Sequence, residues 1–292
     1  MRTPRIALLL CLLFVSGCSP LTLLSAVSSA EHYERSADIA YGPDPRQRLD
    51  VYRPLTAQPD APLVVFFYGG AWRKGDKAEF RFVASSLTRA GYVVVLPDYR
   101  RFPEVRFPAF VDDGAAAVAW AAANAGAYGA DPTRLYLMGH SAGAHIAALL
   151  ALDDRYLEAA GLGSGAVAGL IGLSGPYDFL PIEDGYLTEL FPEATRPASQ
   201  PINFVHPGAP PALLIHGGDD DLVEAGNSER LAGRLMAEGV PVTLHNYAGV
   251  GHGRVVVALS PPLDFIAATL DDCIDFIDAN ERRRSGEAET DP

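Results

Sequence analysis

Apolar residues in this chain come in short unbroken runs, and the runs alternate with stretches of helical period. Residues 63–67 lie between Pro62 and Gly69, and residues 92–96 end at Pro97. Residues 135–138, 167–173, 212–216 and 242–247 repeat the pattern. Runs of this length bounded by turn residues read as strands, most of them buried on both faces. Between them, 80–90, 110–127, 142–152, 226–238 and 263–279 carry apolar residues at helical spacing, with Gly91 and Gly239 closing two of them. Residues 35–41 and 48–52 alternate instead, which predicts an opening antiparallel pair. Strands alternating with helices specify the α/β class: a mainly parallel central sheet, right-handed crossovers and helices on both faces. Residues 33–280 read as one domain, with the irregular stretch 175–210 as a small cap-like insertion and the charged 281–292 as a flexible tail.

The N-terminus follows a different logic. Arg2 and Arg5 precede an apolar run over 6–15 that is too short to span a bilayer comfortably, and Ser16-Gly17-Cys18 follows. This order resembles a bacterial lipoprotein signal. The resemblance implies a signal peptide over 1–17, lipidation of Cys18 and attachment to the cell envelope. Ser19 after the cysteine favours the outer membrane or periplasmic side over the inner membrane. An ordinary secretory signal, cut a few residues later, is the alternative. Residues 18–32 then read as a tether. The remaining length suits one α/β domain with a full core. A net charge of −13 repels nucleic-acid phosphates and supplies no basic patch for anionic lipid, so membrane attachment rests on Cys18. With Cys11 in the signal and Cys18 as anchor, only Cys273 stays in the domain, where it reads as a buried small hydrophobe.

The candidate chemistry begins where the run 135–138 gives way to a helix, at Gly139-His140-Ser141-Ala142-Gly143. This is the G-x-S-x-G order. A serine on a sharp strand-to-helix turn projects its hydroxyl into the open, and the flanking glycines remove side chains that would collide with neighbouring backbone. Ser141 is the candidate nucleophile, with the Ala142 amide at the helix start aimed at a developing oxyanion. A hydroxyl at neutral pH needs a base. His32 lies in the tether, His140 and His145 flank Ser141 closely, His216 and His245 belong to strands, and His206 sits in the insertion. His252, in the glycine-rich loop after the last strand, is the candidate base. Three adjacent acids, Asp219, Asp220 and Asp221, follow the run 212–216 and offer the orienting carboxylate. They lack the alternating oxygen ligands of a calcium loop, so no metal is expected. The loop Tyr68-Gly69-Gly70-Ala71-Trp72 follows the run 63–67, and the amides of Gly70 and Ala71 are the other candidate oxyanion donors.

These motifs together resemble the α/β-hydrolase superfamily, in its carboxylesterase branch near hormone-sensitive-lipase-like and feruloyl-esterase-like members. The residues that carry the resemblance are Tyr68 to Trp72, Asp98-Tyr99-Arg100 with Phe107-Pro108-Ala109, Gly139 to Gly143, and Gly251-His252-Gly253. Gly69-Gly70-Ala71-Trp72 and Ser141-Ala142-Gly143-Ala144-His145 resemble the isoprenylcysteine methylesterase-like group as well. The family's acid stands in a His-Gly-x-x-Asp-x-x-Val pattern, which falls on His216, Gly217, Asp220 and Val223 and so implies Asp220. Many relatives begin the oxyanion loop with histidine, whereas this chain has Tyr68. Asp98-Tyr99-Arg100 reads as a buttress behind that loop. The resemblance implies hydrolysis of short-chain or aryl carboxylic esters through Ser141, His252 and Asp220, without a cofactor. An amidase or peptidase using the same triad, and a non-catalytic binding lipoprotein of this fold, are the alternatives.

Overall fold

The computed structural model describes residues 20–28, 30–56, 59–183 and 185–286, so Cys18, the segment 1–17 and residues 287–292 lie outside it. The strands are β1 (Tyr33–Ala40), β2 (Arg48–Pro54), β3 (Ala61–Phe67), β4 (Val93–Pro97), β5 (Ala130–His140), β6 (Val167–Leu173), β7 (Ala212–Gly217) and β8 (Val242–Tyr247). They form one eight-stranded sheet in the order β1-β2-β4-β3-β5-β6-β7-β8. β2 runs antiparallel to both its neighbours, and every other pairing is parallel. β3, β4, β6 and β7 are buried along their whole length, as unbroken apolar runs require. At the edge, β8 is half-buried at Val242, His245 and Tyr247 and exposed between them.

The helices are α1 (Pro20–Val27), α2 (Arg81–Arg89), α3 (Ala109–Asn124), α4 (Ala142–Leu152), α5 (Asp154–Ala159), α6 (Leu187–Leu190), α7 (Gly226–Ala237), α8 (His252–Val257) and α9 (Thr269–Ser285). α4 is buried on every side, which is why its sequence has no polar face. Its approach to the sheet depends on absent side chains. A Cβ on Gly143 would lie 2.0 Å from the Phe67 carbonyl oxygen, and one on Gly139 would lie 2.3 Å from the Gly143 oxygen.

Three segments depart from the sequence reading. The stretch 18–32, expected as a tether, contains α1 docked on the domain. Ser25 Oγ donates to the Glu79 carbonyl at 2.7 Å, Arg81 donates to the Ser25 carbonyl at 3.2 Å, and Leu21 and Leu24 pack against the core. The closing helix, expected over 263–279, begins at Thr269, because prolines at 261 and 262 hold Pro261–Ile266 in 3-10 turns. It continues to Ser285, where Gly286 caps it at φ 75°, so 281–285 is helix rather than tail. Arg282, Arg283 and Arg284 in the last turn complement the helix dipole. Glu281 is also held: it accepts from the Tyr136 hydroxyl at 2.5 Å and pairs with Arg134.

The insertion 175–210 consists of α6 and short 3-10 turns at Glu193–Thr195, Pro197–Ser199 and Pro201–Phe204. Leu190 and Phe191 anchor it in the core.

Glu281→Ala leaves the buried Tyr136 hydroxyl without its acceptor. A charged hydrogen bond of this kind contributes about 2 kcal/mol, and urea unfolding at pH 7 should show a loss of that order. Unchanged stability would return 281–285 to the category of a dispensable tail.

Candidate active site

Ser141 stands between β5 and α4 at φ 56°, ψ −123°, a backbone region that disfavours a side chain. The turn is held in place by its neighbours. The Ser141 amide donates to the Leu173 carbonyl on β6 at 2.9 Å, and the His145 amide donates to the Ser141 carbonyl at 3.1 Å. His252 opens α8, just after the turn through Gly249 and Gly251. The Ser141 hydroxyl lies 2.8 Å from His252 Nε2, and His252 Nδ1 lies 2.7 Å from Asp220 Oδ2. Nδ1–H therefore donates to the carboxylate, and Nε2 is left to accept the serine proton.

Of the three adjacent acids, the structure brings Asp220 to His252. Asp219 instead accepts from the Gly249 amide at 3.3 Å and so shapes the histidine's loop. Asp221 lies on the lining of the cavity described below. Burial pushes the Asp220 carboxyl up, but hydrogen bonds from His216, His252 and the Val223 amide outweigh it and hold the group below the usual carboxylate range. The carboxylate stays ionised beside the imidazole.

His216 and His140 hold the two partners from behind. His216 Nε2 donates to the Val223 carbonyl at 2.8 Å and lies 3.2 Å from Asp220 Oδ2, while Ser228 Oγ donates to its Nδ1 at 2.7 Å. His140 Nε2 donates to the His252 carbonyl at 3.1 Å, and the two rings lie 4.8 Å apart. Burial, and then repulsion from His252, pushes the His140 imidazole down to about 3, so it stays neutral. The sequence carried a signal for His216, within its own acid pattern, but none for the contact of His140 with His252. The other histidines stand elsewhere: His206 faces Asp154, His245 faces Asp272, and His32 donates to the Ser85 carbonyl.

The loop after β3 carries Gly70 at φ 135°, Ala71 at φ 52° and Trp72 at φ 54°. A Cβ on Gly70 would lie 2.1 Å from the Lys74 carbonyl oxygen, so this curl requires glycine there. Among the described residues, the amides of Gly70, Ala71 and Ala142 find no acceptor. All three residues line the same cavity as Ser141 and His252, about 1280 Å³ in volume.

Tyr68 supports the loop from beneath. Its hydroxyl donates to Asp98 Oδ1 at 2.6 Å, and Tyr99 donates to the Tyr68 carbonyl at 2.8 Å. Arg46 reaches the Tyr68 hydroxyl at 3.0 Å and the Gly75 carbonyl at 2.7 Å. Asp98 and Tyr99 thus act as the expected buttress, whereas Arg100 turns to Asp113 on α3 at 2.7 Å. His145 lies one turn along α4 with Nε2 donating to the Ser199 carbonyl of the insertion at 2.8 Å, in a ring of aromatic side chains that includes Trp72 and Phe191.

Residues 49–235 match the BD-FAE family. The chain belongs to it. Among curated relatives of this BD-FAE chain, a probable isoprenylcysteine alpha-carbonyl methylesterase of Oryza sativa subsp. japonica is 33% identical over 240 residues, covering 74% of the chain and 58% of that protein. Esterase LipC of Mycobacterium tuberculosis is 34% identical over 244 residues, covering 76% of the chain and 60% of the relative. The chain therefore spans somewhat more than half the length of these proteins. A solved carbohydrate esterase from gut microbiota superposes with a TM-score of 0.75 at 23% identity, covering 86% of this chain and 98% of that one, which establishes the shared α/β-hydrolase fold.

Burial pushes His145 down to about 4, against an ordinary value of 6.5. A group with a depressed folded value stabilises above its unfolded pKa and loses that contribution as pH falls through the folded one. Its share of stability should therefore fall between pH 6.5 and about 4, by up to about 1.4 kcal/mol per pH unit. Urea midpoints across that window should fall less steeply for His145→Gln than for the wild type. Identical slopes would place the acid sensitivity elsewhere.

Proposed function

We propose that this chain is a serine carboxylesterase. The observation that carries the reading is the continuous relay from the Ser141 hydroxyl through His252 to Asp220, opening into a cavity beside three free amides. The curated relatives named as a methylesterase and an esterase support the same reaction class.

In this reading His252 Nε2 takes the Ser141 proton as Oγ attacks the acyl carbon. Asp220 holds the tautomer that leaves Nε2 free and stabilises the imidazolium once it forms. The amides of Gly70, Ala71 and Ala142 receive the charge that develops on the carbonyl oxygen. Each such donor stabilises the transition state by roughly 3 kcal/mol. His252 returns the proton to the leaving alcohol, and a water activated by the same imidazole then releases the acid from Ser141. The residues supply nucleophile, base and electrophile, so the sequence requires no cofactor or metal. Short-chain and aryl esters are the proposed substrates, because the insertion is too small to act as the large lid of an oil-droplet lipase.

A fluorophosphonate probe should label the wild type and leave Ser141→Ala unlabelled. Asp220→Asn should lower kcat on p-nitrophenyl butyrate by about 10⁴-fold with little change in KM. A folded protein that resists the probe and turns over no ester would remove the esterase reading. A faster matched amide than ester would redirect it to an amidase.

We further propose that Cys18 is lipidated and tethers the domain to the cell envelope. The support is the order of Arg2 and Arg5, the apolar 6–15 and Ser16-Gly17-Cys18. Among the described residues no helix is long and apolar enough to cross a membrane. Radiolabelled palmitate should enter the wild type and not Cys18→Ala; equal labelling of both would exclude this anchor.

A further inference from the structure

The chain enters the domain at the mouth of the cavity. α1 begins two residues after Cys18. Two residues of fully extended backbone reach about 7 Å, so a lipid on Cys18 holds the start of α1 close to the headgroups. The helix does not swing freely, because Ser25 is bonded to Glu79 and Arg81. Its first turn carries Leu21, which lines the same cavity as Ser141.

Two more leucines of that opening meet solvent, between charged side chains. Leu222 follows directly on the catalytic loop's acids and is 74% exposed, and Leu180 of the insertion is 39% exposed; both line the cavity. Leu23, on the outer side of α1, is 44% exposed. Single exposed leucines are ordinary, but a group around one opening beside an attachment point marks a contact surface. Lys74, Arg230 and Arg254 stand against Glu79, Asp178, Asp221 and Glu224 on the same lining, so this face carries little of the acidity of the whole chain.

We propose that the Cys18 anchor seats the cavity mouth against the bilayer, and that the enzyme takes amphiphilic esters directly from the membrane through it. The inference rests on the anchor and esterase readings above. Charge attraction contributes little; proximity and the leucines supply the contact.

The test uses the full lipidated chain in phosphatidylcholine vesicles. Cys273 is buried, so Leu222→Cys and, on the edge strand β8, Leu244→Cys each take one environment-sensitive NBD label. The Leu222 label should be blue-shifted and quenched by spin-labelled lipid, and the Leu244 label should not. In a second arm, Leu23→Glu should slow hydrolysis of vesicle-borne p-nitrophenyl decanoate at least tenfold and leave dissolved p-nitrophenyl acetate unchanged. If the chain floats with vesicles while both labels stay in water, the orientation is overturned. If it fails to float, the anchor reading fails with it. Equal rates for Leu23→Glu and wild type on the vesicle-borne ester overturn the substrate route. A lipid-embedded Leu222 label on a chain inert toward both esters does so as well, and points to the failure of the esterase reading instead.

Discussion

Where α4 crosses the end of β3 there is no space for one additional carbon. Gly143 lies so close to the Phe67 carbonyl that a Cβ would sit 2.0 Å from its oxygen. This contact sets the separation between two parts of the site that are far apart in sequence. The chain leaving β3 becomes the loop with Gly70 and Ala71, and the start of α4 carries Ser141 and Ala142. If the helix were held further off, the amides on the two sides of the cavity would stand farther apart. The strained φ of 56° at Ser141 persists because β6, α4 and this crossing over-determine it.

Behind the loop of Gly70 and Ala71 lies a second constraint, built from buried charge. Lys77 and Asp50 are almost wholly inside the protein, 3.3 Å apart, and Asp50 also pairs with Arg35 at 2.7 Å. Asp98 sits between Tyr68, Arg46 and the Lys77 amide, and burial raises its carboxyl above the ordinary range. Ion pairs of this kind add little net stability over apolar packing, but removing one partner is costly. Their effect here is geometric: Arg46 and Tyr68 fix the floor and the far end of the loop at Gly75 simultaneously. The tyrosine that stands where many relatives have histidine is thus part of a connected support.

Much of this was legible from residue order. The runs at 63–67 and 167–173 announced buried strands because both faces of the sheet are covered, and Gly139-x-Ser141-x-Gly143 announced the turn because few other residues fit the crossing. Asp220 was singled out from its neighbours only by a family pattern; nothing in three consecutive aspartates says which will face a loop 32 residues away. Arg46 was invisible, since its partners come from 22 to 53 positions later. The extents of α1 and α9 were misread for a related reason. Docking of Ser25 and the Tyr136–Glu281 bond are tertiary events, and neither the small, mixed residues of 20–27 nor the charged 281–285 announce them.

His145 ties the insertion to the helix that follows Ser141, through a bond to Ser199 buried in an aromatic shell. The insertion could not lift at Ser199 without breaking this bond or dragging that helix along. The part of the insertion around Ser199 therefore takes its position from the helix that follows Ser141.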